Sequence, residues 1–418
     1  MSEVCVHGLG YIGLPTAAML ANYDHRVAGY DANPAVRSRL RDGEVHLDEP
    51  GLRAFVTQAR ESGNLRIVDE GVPASYHVIC VPTPFDHETK QADLEYVESA
   101  GRAVSELIRP GDTVVLESTV PPGTTTDVLA PILEESGLVS GSDFGLVHCP
   151  ETVLPGDIIA ELRSNDRIIG GIAQPSIDAA VQLYEPFVTG EISTVEDPTV
   201  AEFVKLIQNT YRDVNIALAN EIARLAGTHE IDSRTAIELA NGHPRVELHQ
   251  PGPGVGGHCL PIDPWFLDDG MGTLNLISTA RAVNDGMTGY AIELLCDVLG
   301  SLDGRRIAVL GAAYKGNVDD TRNSPGVKLA RELHAHGDVG TTVAVADPLV
   351  SDPTLALTDV ETATTDADAI VLTADHDAFK TLDPNAMVDR MRRPVIVDTK
   401  AIIDTDKWQT AGFEVRRI

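Results

Sequence analysis

The chain opens on a strand-like run, Val4-Cys5-Val6-His7, that leads straight into Gly8-Leu9-Gly10-Tyr11-Ile12-Gly13. A helix-forming stretch follows from Leu14 to Ala21, then a second strand, Arg26-Val27-Ala28-Gly29-Tyr30, ending at Asp31. Strand, glycine turn, helix, strand and acid in this order fit a parallel βαβ unit, whose glycines let backbone close on a pyrophosphate at a helix N-terminus. Asp31 can accept hydrogen bonds from a ribose diol and would repel a 2′-phosphate, so the cofactor reading is NAD rather than NADP. Gly8, Gly10, Gly13 and Asp31 are the expected contacts.

Further βα units follow. Tyr76–Val81, Thr113–Glu117 and Phe144–His148 read as buried strands, each running into a loop: Pro82-Thr83-Pro84, Ser118-Thr119 and Cys149-Pro150-Glu151. Ligands of open α/β sheets sit at strand C-termini, so Thr83, Thr119 and Glu151 should share one edge. The last third repeats the first. Ile307–Leu310 leads to Gly311-Ala312-Ala313-Tyr314-Lys315-Gly316, and Thr342–Ala346 ends at Asp347. In this second loop one glycine is replaced by Ala313, and Lys315 offers a point charge for a different phosphate ligand. Between the halves, Thr199–Ala240 has helical spacing. Phe203, Leu206, Ile207, Thr210, Val214, Ala217 and Leu218 are expected on one apolar face, with Lys205, Asn209 and Arg212 on another. The fold class is α/β: two doubly wound Rossmann-like domains joined by a central helical dimerisation region.

Composition narrows the function. With 63 acidic and 32 basic residues the net charge is −31, which excludes nucleic acid as a partner. Acids are spread throughout and only seven lysines occur, which fits a protein of a salt-rich, halophilic cytoplasm where self-repulsion is screened. No apolar run is long enough to span a membrane, and no signal peptide is expected. Five scattered cysteines without a CxxC pair point away from disulfides and a structural metal.

One cysteine stands apart. Cys259 lies in Gly254-Val255-Gly256-Gly257-His258-Cys259-Leu260-Pro261. A thiolate beside a nicotinamide can capture an aldehyde as a thiohemiacetal, and loss of a second hydride then gives a thioester that water cleaves to an acid. The pairing predicts a four-electron dehydrogenase, from primary alcohol to carboxylate. A silent NAD-binding scaffold and a zinc alcohol dehydrogenase are the competing readings, and no ligand spacing supports zinc.

These residues resemble the UDP-glucose/GDP-mannose 6-dehydrogenase family over essentially the full length. The shared motifs are GLGYIGLP at 8–15, VPTP at 81–84, ESTVPPGT at 117–124, CPE at 149–151, the Lys205/Asn209 helix, GGHCLPID at 256–263 and AYKGNVDDTRNSP at 313–325. Within the family the chain is most similar to the branch acting on UDP-N-acetyl-D-mannosamine. UDP-N-acetylglucosamine and UDP-glucose are the alternative substrates. Ile262 stands where UDP-glucose enzymes usually carry a lysine.

The resemblance implies an NAD domain over 1–196, a central region with the cysteine loop over 197–298, and a UDP-sugar-binding domain over 299–418. It implies Cys259 as nucleophile, Lys205 and Asn209 stabilising oxygen charge, and Asp263 and Glu151 in proton transfer. Tyr11, Ile12, Thr83, Thr119 and Arg322 join the glycines and Asp31 at NAD. Lys315, Arg245, His243 and His258 are the candidates for the nucleotide sugar. A cytoplasmic homodimer through the central helix completes the expectation.

Overall fold

The computed structural model describes residues 2–47, 49–268, 273–336 and 340–418. The chain divides into two compact units, Met1–Gln208 with Trp265–Met271, and Asn209–Pro264 with Gly272–Ile418.

The first unit is built on β1 (Glu3–His7), β2 (Arg26–Tyr30), β3 (Leu65–Ile67), β4 (Tyr76–Ile79), β7 (Thr113–Leu116), β8 (Gly145–His148), β9 (Arg167–Gly171) and β10 (Ile192–Val195), with a small hairpin, β5 (Phe85–Asp86) and β6 (Gln91–Ala92), set apart. The sheet order is β10-β9-β8-β7-β4-β1-β2-β3. Pairing is parallel except between β8 and β9. The chain leaves β1 in one direction to β2 and returns to β4 on the other side, and the crevice at that reversal is where such sheets bind ligands. The helix Gly13–Asn22 carries no charge, and its residues from Gly13 to Ala21 are buried between the sheet and the helix Leu52–Glu61. Leu14, Met19 and Leu20 have no exposed surface there, each worth roughly 1.5–3 kcal/mol of burial.

The second unit holds β11 (Arg306–Leu310), β12 (Thr342–Ala346), β13 (Leu357–Thr358), β14 (Ala369–Leu372), β15 (Val395–Asp398) and β16 (Glu414–Arg417). They form an all-parallel sheet in the order β13-β12-β11-β14-β15-β16, again reversing at the strand that leads into a glycine loop, here β11 before Gly311. Two doubly wound sheets are therefore present, as expected.

The second glycine loop corrects one expectation. Its helix does not start at the loop but at Pro325. A Cβ on Gly326 would meet the Gly311 carbonyl at 2.0 Å, just as one on Gly13 would meet the Gly8 carbonyl at 1.9 Å. The missing third glycine is thus Gly326, displaced by a detour through 312–324 that carries Lys315 and Arg322.

The long helix Pro198–Thr228 corrects another. The seven residues expected on one face divide: Leu206, Thr210 and Ala217 are buried, but Phe203, Ile207 and Leu218 are 46%, 41% and 49% exposed. Lys205 and Asn209 occupy the buried side instead. Val200, Phe203, Ile207, Tyr211, Leu218 and Leu225 make an exposed apolar stripe at helical spacing. The helix buries polar groups because its inward side is met by carboxylates, as the site shows. No helix among the described residues is long and apolar enough to cross a membrane.

Candidate active site

In the first unit, Gly8 follows β1 with φ +94°, and a Cβ there would strike the Cys80 carbonyl at 2.4 Å. A Cβ on Gly10 would meet nothing within 4 Å, so this backbone faces open space at the start of the helix. No side chain caps the helix N-terminus; the Leu14 N–H donates to the Gly10 carbonyl at 3.1 Å and Pro15 has no N–H, so the positive end of the helix offers an anion the Gly13 N–H. Asp31, directly after β2, accepts from the Leu9 N–H at 2.8 Å and thereby fixes the loop. Tight glycine, open glycine, uncapped helix and acid all fit the diphosphate and ribose of NAD.

Thr83 and Thr119 come together as expected: Thr83 Oγ1 donates to the Thr119 carbonyl at 2.7 Å. Two carboxylates that the sequence did not single out support this edge. Glu202, on the long helix, accepts from the N–H groups of Gly123 (2.5 Å) and Thr125 (2.7 Å) and from the Thr125 hydroxyl (2.5 Å). Burial pushes its carboxyl up to about 7, with those donors pulling the other way. Glu49 accepts from the Tyr11 hydroxyl and from the Gly156 N–H at 2.9 Å, tying the glycine loop to the loop after Glu151. Only the ESTVPPGT run, which carries the Gly123 donor, hinted at either contact.

Glu151 follows β8 and is buried. Its Oε1 lies 3.5 Å from Lys205 Nζ, and both side chains are more than nine-tenths buried. Oε2 accepts from the Val153 N–H at 2.7 Å. His148, beneath them, is held down to about 3 by burial and then by the Lys205 charge, so it stays neutral. A buried ammonium beside a carboxylate can stabilise an oxyanion and move a proton.

In the second unit, Cys259 is half-buried on a loop whose glycines are sterically required. A Cβ on Gly256 would meet the Asn323 carbonyl and Tyr314 Cβ at 2.7 Å, and Gly257, at φ +86°, lies under the Tyr314 ring. The Gly257 N–H donates to the Arg322 carbonyl, and Asn323 Nδ2 donates to the Gly257 carbonyl, each at 2.9 Å. After the cysteine the chain turns tightly. The N–H groups of Ile262 (2.9 Å) and Asp263 (2.8 Å) both donate to the Cys259 carbonyl. That turn delivers Asp263, buried, to Asn209, whose Nδ2 donates to Asp263 Oδ2 at 2.5 Å.

Arg322 grips Asp320 through Nε, 3.0 Å from Oδ1 and 3.1 Å from Oδ2, and Nη2, 2.6 Å from Oδ2. The Asp320 carboxylate holds the guanidinium above its usual range against the cost of burial, with Tyr314 and Cys259 as lesser contributors. Lys315 is exposed on the same detour. Arg245 and His243 are both exposed and meet each other, the Arg245 N–H donating to His243 Nδ1 at 3.3 Å. Asn215 holds their loop, donating to the Glu247 carbonyl and accepting from the His249 N–H. His258 is half-buried beside Cys259.

These parts define an NAD-dependent dehydrogenase of nucleotide-linked substrates. The chain belongs to the UDP-glucose/GDP-mannose dehydrogenase family: residues 2–188 match its NAD binding domain, 199–286 its central domain and 308–405 its UDP binding domain. It is 41% identical, over all of its length and 96% of the relative's, to the UDP-N-acetyl-D-mannosamine dehydrogenase of Methanococcus maripaludis. The structure of UDP-D-ManNAc dehydrogenase from Pyrococcus horikoshii matches with a TM-score of 0.92 and 41% identity, covering 100% of this chain and 99% of that one. Native Cap5O, the UDP-N-acetyl-mannosamine dehydrogenase of Staphylococcus aureus, gives 0.88 at 37% identity, covering 100% and 98%.

Proposed function

We propose that this chain oxidises C6 of UDP-N-acetyl-D-mannosamine from alcohol to carboxylate. The observation that carries this reading is Cys259, held on a glycine-forced loop with Asp263 and Asn209 one turn away and Arg322 beside it. NAD, when bound, supplies the hydride acceptor for both oxidations, two NAD being consumed with one water.

The residues divide the work. Gly8, Gly10, Gly13, Tyr11, Ile12, Asp31, Thr83, Thr119 and Arg322 hold the cofactor. Lys205 with Asn209 stabilises charge on the C6 oxygen, and Asp263 takes up the alcohol proton through water. The Cys259 thiolate adds to the aldehyde, forming a C–S bond. After the second oxidation, water attacks the thioester, the C–S bond breaks and the thiolate leaves, with Glu151 handling the water's protons. Lys315 meets the diphosphate, and Arg245, His243 and His258 meet the sugar. The 1–196, 197–298 and 299–418 regions serve cofactor, catalysis and nucleotide sugar. The exposed stripe from Val200 to Leu225 is the seam of a cytoplasmic homodimer.

The test is a panel of UDP-sugars with NADH counted per sugar. Two NADH per UDP-N-acetyl-D-mannosamine, with UDP-glucose and UDP-N-acetylglucosamine poorer in kcat/KM, is the expected result. A preference for UDP-glucose would refute the substrate. In the Cys259→Ser protein complete turnover is lost while NAD binding persists, and two NADH per sugar there would refute the thioester route. For the seam, Phe203→Asp with Ile207→Asp should shift the sedimentation coefficient to that of a monomer.

A further inference from the structure

The Lys315 segment is anchored on both sides, and the anchors meet. Before the lysine, the N–H groups of Ala312 and Ala313 donate to Asp347 Oδ2 at 2.7 and 3.0 Å. After it, the Gly316 N–H donates to Asp375 Oδ1 and the Asn317 N–H donates to His376 Nδ1, both at 3.0 Å. His376 has no exposed surface, and its Nε2 lies 3.0 Å from the same Asp347 Oδ2. Since Nδ1 accepts from Asn317, Nε2 carries the ring proton and donates to Asp347.

The approach is close. A Cβ on Gly316 would meet the Asp375 carbonyl at 2.5 Å. Asn317, at φ +61°, clasps Asp377 in both directions, donating to its Oδ2 at 2.9 Å and accepting from its N–H at 3.0 Å. Asp31, the counterpart of Asp347 in the first unit, takes no histidine hydrogen bond among the described contacts; His46 acts on it through charge and bonds the Leu9 backbone instead. Asp31 accepts from Leu9 N–H at one oxygen and from Asn33 N–H at the other. A histidine that joins the loop to its strand-end acid by hydrogen bonds on both ring nitrogens is described only for the lysine-bearing loop.

We propose that His376 is a positioning residue for the diphosphate of the nucleotide sugar, holding Lys315 in place through Asn317 on one side and Asp347 on the other. This rests on the reading that Lys315 binds that diphosphate. Asp347 has four backbone donors besides the imidazole, those of Ala312, Ala313, Leu349 and Val350, whereas the Asn317 N–H has only Nδ1 as its acceptor among the described contacts. The Nδ1 contact is therefore the one the lysine depends on.

Two substitutions separate the ring nitrogens. In His376→Asn the side-chain oxygen stands near Nδ1 and still accepts from Asn317. In His376→Gln the amide reaches Asp347 but leaves Asn317 without its acceptor. Calorimetric titration of the full chain with UDP should give an affinity within about twofold of wild type for His376→Asn and about tenfold weaker for His376→Gln, the cost of one orphaned N–H. The dissociation constant for NAD should be unchanged in both.

Equal loss in the two variants, or wild-type UDP affinity in a folded His376→Gln protein, overturns the proposal. Asn317→Gly keeps the positive φ at an exposed position and removes only the Asp377 clasp. It should leave UDP affinity within about twofold of wild type, because the N–H held by Nδ1 is kept, and a tenfold loss would overturn the proposal; should both histidine variants fail to fold, hydrogen exchange of the wild-type Asn317 N–H decides, fast exchange unchanged by UDP counting against the proposal. Lys315→Met is the separate control. If it binds UDP as wild type does, the reading of Lys315 falls; if it binds weakly while His376→Gln does not, only the role of His376 falls.

Discussion

Asn209 donates a 2.5 Å hydrogen bond to Asp263, fixing a buried carboxylate four residues beyond Cys259. The bond joins a helix to a loop 54 residues further along the chain. It leaves Asp263 with one oxygen committed to an amide donor, which orients the other. Asn209→Ala should therefore lower kcat about 10²-fold, the usual loss for one preorganised donor, with KM for the UDP-sugar little changed. Steady-state kinetics would show this, and a rise confined to KM would count against the role.

Asp213 and Arg281 form a second buried pair at 2.6 Å, and Asn284 donates to Asp213 Oδ1 at 2.9 Å. Asn220 extends the chain of contacts to the Gly252 N–H ahead of the cysteine loop. Asp213→Ala leaves a guanidinium that is 3% exposed with the Asp285 carboxylate as its remaining ion-pair partner among the described residues, and should cost about 3 kcal/mol, the low end for a broken buried pair. Urea unfolding followed by circular dichroism gives the number; a loss under 1 kcal/mol would contradict it.

Acid should destabilise the fold from a defined point. Burial holds His7 down to about 3, with His77 adding to it, and holds His77 down to about 4. His148 is likewise at about 3. The ordinary histidine value is 6.5, so below it the unfolded chain takes up three protons that the folded chain refuses. Glu202 acts the other way: raised from 4.5 to about 7, it binds a proton in the folded state first. The balance is two protons, or about 3 kcal/mol per pH unit lost as pH falls from 6 to 5. The stability contributed by the histidines is complete above 6.5. Urea midpoints across this range should fall, and a flat profile would show these histidines to be charged in the fold.

Net charge −31 predicts a salt response. The Debye length shrinks from about 8 Å at 0.15 M to ~3 Å at 1 M, so self-repulsion fades. Melting temperature should climb between 0.1 and 2 M KCl by on the order of 5 °C. Scanning calorimetry at fixed pH reads this directly, and a Tm independent of salt would remove the halophilic reading.

The two nucleotide sheets were legible because their signal is local. Buried parallel strands read as short apolar runs, and a glycine turn with an acid at the next strand end has few other uses. The Cys259 loop was legible for the same reason: consecutive glycines before a cysteine announce a backbone with something pressed against it, which proved to be Tyr314 and Asn323. The long helix misled because periodicity records which residues share a face but not which face turns inward. Carboxylates from distant loops met Lys205 and Asn209 and made the polar side the buried one.

The sequence by itself therefore determined the class of fold, the NAD-binding glycine turn and the glycine-crowded loop around Cys259, all of which depend on short continuous segments of the chain. Only the tertiary structure decided that Gly326 stands in for the missing loop glycine and that Asp263 answers to Asn209. The same holds for His376, which fastens the loop of Lys315. Each is a contact between segments that the chain keeps far apart, and its existence depends on where separate strands end in space rather than on any pattern along the backbone.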